Sequence, residues 1–123
     1  MAKAVHNDVI DAALALVRSN ATRMVALAAQ PADYAAANAG ALANAAMAPA
    51  DFTIADGVVN GRRASVAAKA DVAVGAAGTA SHVALLDAPN TRLLYVTTCP
   101  AQALALGSTV SFAAWDIEIG DPA

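Results

Sequence analysis

The sequence predicts a mainly β protein, a small antiparallel sandwich or open barrel preceded by one N-terminal α-helix. Three observations carry this reading. A single segment, residues 7–20, repeats its apolar residues at helical spacing. After Pro49, turn-forming pairs recur at short intervals, Asp56-Gly57 and Asn60-Gly61 first among them. Between those turns the chain alternates apolar and polar residues, with no long helical crossover to join parallel strands.

The helix comes first. From Asn7 to Asn20 the residues Val9, Ile10, Ala13, Leu14 and Val17 form one stripe at intervals of three and four. Asn7 is suited to cap the first turn, Asp8 and Asp11 suit its positive end, and Arg18 suits its negative end. Asn20 is expected to close the helix in a left-handed conformation. Residues 24–29, MVALAA, are apolar on both faces and stop at Pro31, which fits a short buried strand as well as a second helical turn, the strand being preferred. Residues 31–49 are nearly all Ala and Asn, with Gly40 in the middle, and read as a partly helical excursion or loop that orders only against a neighbouring subunit.

The β region runs over residues 51–119. Ser65 to Val74 is expected to be one half-buried strand, with Val66, Ala68, Ala70, Val72 and Val74 inward. Gly75 to Gly78 then turns the chain. TASHVALLD and TRLLYVTT read as a hairpin around Asp87–Asn90. Thr109 to Ile119 reads as one last strand; Val110 and Phe112 lie on one parity and Trp115, Ile117 and Ile119 on the other, so a bulge near Ala113 or Ala114 is needed. The tail GDPA ends it.

The chain's 123 residues suit one domain, 1–123, with a single core. That core is thin, because 37 residues are Ala and each Ala buries little more than one methyl group. A thin-cored small domain gains from burial against a partner, so an oligomer or an assembly component is expected. The net charge of -3, with Lys and Arg totalling 7, supplies no field for phosphate backbones and argues against nucleic acid. Arg62-Arg63 is the one basic pair, and its plain reading is a solvated turn. No apolar run reaches the roughly 18 residues of a membrane span. Asp8 and Asp11 interrupt the segment where a signal peptide would be apolar, so synthesis in the cytoplasm is expected. Cys99 is alone and is expected to serve as a small hydrophobe.

Candidate chemistry was sought wherever reactive residue types gather. Ser81, His82 and Asp87 are the residue types of a nucleophilic triad, yet Ser81 and His82 are neighbours on a strand and are expected to face opposite ways, unable to pair. His82 is expected to be half-buried. His6, His82 and Cys99 are too scattered for a metal site. Asp116 and Glu118 share one strand face about 6.5–7 Å apart; an exposed edge or a salt bridge to Arg62, Arg63 or Arg92 accounts for them better than a glycosidase pair does. Gly75 and Gly78 lack the helix and Lys of a phosphate loop. No catalytic, cofactor-binding or metal-binding residue is assigned, and no enzyme activity or cofactor is expected. Asp87 and Asn90 are assigned to the turn, with Val83, Leu85, Leu94 and Val96 in the core.

The segments GRRASVAA, GTASHVALLDAPNTRLLYVTTC and ALALGSTVSFAAWDIEIGDP, together with the opening AVHNDVIDAAL, resemble small virion proteins of tailed phages and prophages of alphaproteobacteria. A strand ending LLD, a turn, a strand beginning RLL and a Gly-Ser-Thr turn into a last strand are similar to the β-rich anchoring domains of tail-fibre proteins. The Ala and Asn richness of residues 35–48 departs from that pattern. The resemblance implies a non-enzymatic virion protein made in the bacterial host cytoplasm. Its place would be the outer capsid surface, as a decoration (cement) protein or a head-fibre base. The expected partners are copies of itself, a trimer among the options, and the major capsid protein or tail and fibre proteins, with no nucleic acid and no membrane. A tail or baseplate anchor for a receptor-binding fibre is the first alternative. A carbohydrate-binding module stacking sugars on Tyr34, Tyr95 or Trp115 is the second.

Overall fold

The computed structural model describes residues 5–120, and the fold is mainly β, with antiparallel sheets and an N-terminal helix. Contacts group the chain into two compact units. The first takes its described residues from Met1–Asn20, Ala48–Ala68 and Ala113–Ala123, and the second comprises Ala21–Met47 and Lys69–Phe112.

The first unit pairs helix α1 (Asn7–Asn20) with strands β3 (Phe52–Asp56), β4 (Arg62–Val66) and β9 (Trp115–Ile119). These strands form an antiparallel sheet in the order β3-β4-β9, with Phe52 opposite Val66 and Ala64 opposite Ile117. Helix α1 has the expected bounds but a narrower buried stripe. Ile10 and Leu14 are buried and Val17 is half-buried, whereas Val9 is 62% exposed and Ala13 is exposed. One sheet face covers only part of a helix's circumference, so a stripe drawn from periodicity alone was too wide. The ends also differ from expectation. The Nδ1 atom of His6, rather than the side chain of Asn7, accepts the hydrogen bond from the Asp8 N–H at 3.0 Å. Asn20 does not adopt a left-handed conformation; its side-chain amide donates to the Leu16 carbonyl at 2.7 Å.

The second unit contains a four-stranded antiparallel sheet of order β2-β1-β6-β7, from β1 (Arg23–Leu27), β2 (Ala43–Ala46), β6 (Gly78–Asp87) and β7 (Arg92–Leu104). Beside it, β5 (Lys69–Ala73) pairs with β8 (Thr109–Phe112). The core gathers Val25, Leu27, Ala37, Ala84 and Leu86, with Tyr34, Leu93 and Val96 packed against it. Strand β1, the short buried strand of the sequence reading, is buried from Met24 to Leu27 because β2 and β6 flank it on both edges. None of the sheets closes into a barrel.

Residues 31–49 form a short helix, a strand and the turns that join them. Helix α2 (Tyr34–Gly40) is capped by Asp33, whose Oδ1 accepts the Ala36 N–H at 2.9 Å. Asn38 accepts a hydrogen bond from Arg23 at 2.7 Å. Strand β2, not foreseen, turns Ala43 and Ala45 inward and Asn44 and Ala46 outward. Alanine fits either face of either element, so its alternation with Asn left no legible period.

Two expected strands are each divided. Residues 65–74 split into β4 and β5, and residues 109–119 into β8 and β9, with the breaks at Ala67-Ala68 and Ala113-Ala114. Each break is where the chain leaves one unit for the other, so the expected bulge at 113–114 is a passage between sheets. Ala68 and Ala70 are exposed rather than inward, and Ile119 is 36% exposed. Parity continued through the small alanines in the sequence, and nothing bulky marked the change of sheet. Among the described residues the chain forms nine strands. The sequence Asp121–Ala123 lies outside the described residues.

Candidate functional site

Ser81 and His82 do meet: Ser81 Oγ lies 2.8 Å from His82 Nδ1. The expectation that neighbours on a strand face apart fails because the β6–β7 register shifts here, with Ala80 opposite Gln102 but His82 opposite Thr98. The bulge breaks strict alternation and turns the two side chains together. Ser81 Oγ also donates to the Ala28 carbonyl at 2.9 Å. The pair fastens β6 to the end of β1. His82 is half-buried, as expected.

Asp87 belongs to a separate cluster, directed into the β6–β7 turn. Its carboxylate, 1% exposed, accepts from the Asn90 backbone and side chain at 3.3 and 2.9 Å and from Arg92 Nε and Nη2 at 3.0 and 2.8 Å. The Asn90 amide first, and then Arg92, hold its carboxyl below the usual aspartate range against the opposing effect of burial. Thr22 ties the same turn to β1, donating to the Leu86 carbonyl and accepting from the Ala88 N–H. Asp87 and Asn90 thus serve the turn assigned to them. Val83 and Leu85 are buried, and Leu94 and Val96 are half-buried.

Arg62 and Arg63 lie on strand β4 rather than in a turn, and acids hold both. Arg62 Nε meets Asp11 at 2.8 Å and its Nη1 meets Asp56 at 2.6 Å. The hydrogen bonds that Arg62 donates to Asp11, then to Asp56, raise the guanidinium's pKa further. Asp116 forms the expected type of salt bridge, to Arg63 at 3.4 Å. Its strand neighbour Glu118 instead accepts the Val58 N–H at 2.6 Å. An open depression of about 450 Å³ in the first unit is lined by Asp8, Asp11, Arg18, Ile54 and Arg62 among others. It contains the Arg62–Asp11 pair.

Cys99 is a half-buried free thiol whose pKa burial pushes up, which keeps it protonated and weakly nucleophilic. Among the described residues no group of three or more His, Cys, Asp or Glu is placed to hold a metal, and no helix is long and apolar enough to cross a membrane. Tyr34, Tyr95 and Trp115 are each half-buried. The feature that sequence reasoning missed is the exposure of aliphatic side chains in loops: Val58 at 72% and Val59 at 90% in the first unit, and Leu106 at 70% in the second. Its signal was present as two valines set between turn-forming pairs in DGVVNG. The chain has no match among protein-family models, curated proteins or solved structures.

Proposed function

We propose that this chain is a non-enzymatic structural component of a tailed-phage virion, an accessory protein on the outer capsid surface that acts as decoration (cement) protein or head-fibre base. The virion assignment comes from the sequence resemblance described above. The observation that supports a structural role is the direction of the polar chemistry. Ser81 donates to a backbone carbonyl, Asp87 is enclosed by its own turn, Glu118 accepts a backbone N–H, and Arg62 is held between two acids. These groups hold the shape of the chain, whereas Val58 and Val59 in the β3–β4 loop turn aliphatic side chains outward, exposed by 72% and 90%. Exposed apolar side chains of this kind suit protein contact.

Deleting the gene and comparing the composition and heat or chelator resistance of purified particles tests the reading. Particles without this chain are expected to lose stability or a fibre, and particles of unchanged composition and resistance would reject it. Imaging of wild-type particles separates the outer capsid from the tail or baseplate, where the chain would instead anchor a receptor-binding fibre.

A further inference from the structure

We propose that the tip of the β3–β4 hairpin is a preformed docking knob, in which Val58 and Val59 seat in an apolar socket rimmed by cationic side chains on the particle's shell protein. This rests on the virion reading and names the part of the chain that makes the contact.

The tip is Gly57-Val58-Val59-Asn60-Gly61. Positions like these are ordinarily filled by Gly, Asn, Asp, Ser or Pro, and a β-branched side chain prefers extended backbone. Two adjacent valines exposed by 72% and 90% are therefore not explained by the turn itself. Nor are they free to fold back on the chain, because the loop around them is fastened from several sides. The Gly57 N–H donates to the Gly61 carbonyl at 3.0 Å, closing the loop. Glu118, 60 positions along the chain, reaches in from β9 to accept the Val58 N–H at 2.6 Å. A Cβ on Gly57 would lie 2.0 Å from the Asn60 carbonyl oxygen and 2.4 Å from Glu118 Oε1, and Gly61 sits at φ +70. Much of the loop's ordering is thus complete before any partner arrives, which removes part of the entropic cost of association.

Charge defines the rest of the partner. The Asp56 side chain at the base of the tip is 85% exposed, while Arg62, which touches it, is only 19% exposed and shared with Asp11. The charge presented beside the knob is therefore negative. That collar is complementary to a cationic rim and repels anionic lipid headgroups, and the tip carries no aromatic or Lys anchor for a bilayer interface.

The test titrates the purified chain onto particles prepared from a strain lacking the gene, with bound copies counted by quantitative mass spectrometry. Val59→Ser is expected to weaken binding at least tenfold and Val58→Ser/Val59→Ser to abolish it, both with unchanged melting temperature because the side chains are exposed. Leu106→Ser, at the other exposed tip, is expected to bind as wild type. Asp56→Asn is expected to flatten the salt dependence of binding. Wild-type binding that the double variant retains would overturn the knob and leave the virion reading standing; failure of the wild-type chain to bind would overturn both. Binding of the wild-type chain to phosphatidylserine vesicles that the double variant loses would overturn the protein socket in favour of a lipid surface.

Discussion

The β6–β7 and β3–β4 hairpins hold their tips by different means. At the β6–β7 tip the buried Asp87 reaches Asn90 and Arg92, three and five residues away, while Thr22 fastens Leu86 and Ala88 at the base of the turn. At the β3–β4 tip the Gly57 N–H closes the loop onto Gly61, and Glu118 reaches Val58 across 60 residues. Their backbones differ in the same sense: Thr91 bears the positive φ of the first (50°) and Gly61 that of the second (70°). Under the first, Leu85, Leu86 and Asp87 are all buried, whereas at the tip of the second Val58 and Val59 face solvent. A tip held by its own residues can close over a core. A tip fastened by a distant side chain is free to point its apolar residues outward.

The largest effect expected from this contrast is in the core beneath the first hairpin. Leu86→Ala leaves a cavity where no side-chain surface was exposed and should cost about 3 kcal/mol in denaturant unfolding. Val59→Ala at the other tip should change stability by less than about 0.5 kcal/mol. Comparable losses at the two sites would dissolve the distinction between a buried and a presented hairpin. Next comes Gly61→Ala. An added Cβ would lie 2.0 Å from the Ile119 carbonyl oxygen on a backbone that favours glycine, so a loss of at least about 2 kcal/mol is expected. Thr91→Gly, relieving the matching angle in the first hairpin, should be neutral or stabilising by up to about 1 kcal/mol.

Acid should act on the first hairpin. Asp87 has its folded pKa lowered by Asn90 and then Arg92, so its contribution is fully present above the ordinary aspartate range and is lost as pH falls through the depressed folded value. Wild-type melting temperature should therefore drop on acidification below about pH 4, and Asp87→Asn should be less stable at neutral pH with a flatter profile there. An Asp87→Asn profile parallel to that of the wild type would show that other carboxylates carry the acid sensitivity.

How much of this was legible in the sequence follows the same division between local and distant causes. Helix α1 was found to the residue because its apolar spacing and end charges are local. The Asp87–Asn90 turn was found because DAPN carries its own chemistry. What failed depended on residues far apart or on side chains too small to signal. The breaks at Ala67-Ala68 and Ala113-Ala114 and strand β2 are alanine-rich, and alanine marks neither face nor element. The Ser81–His82 contact needed the bulge against β7, which no reading of β6 alone supplies. Asp116 and Glu118 were read together as an exposed edge or as salt-bridge partners of an arginine, yet the strand sends only Asp116 to Arg63 and Glu118 to a loop backbone. DGVVNG was read as two turn signals, and it is one loop in which only Gly61 takes the positive φ.

A smaller effect isolates that distant fastening. Glu118→Gln keeps an acceptor in reach of the Val58 N–H but removes its charge, and exposed charge-assisted bonds contribute little, so a loss of about 0.5–1 kcal/mol is expected. Stability is the less informative readout here. If Glu118 is what holds the loop, amide exchange at Val58 should accelerate in Glu118→Gln and further in Glu118→Ala, while exchange at Asn90, bonded within its own turn to Asp87, stays unchanged. The two hairpins would then respond independently to the loss of one carboxylate. Unaltered Val58 exchange in Glu118→Ala would mean that Gly57 and Gly61 close the loop unaided, making the second hairpin as locally coded as the first.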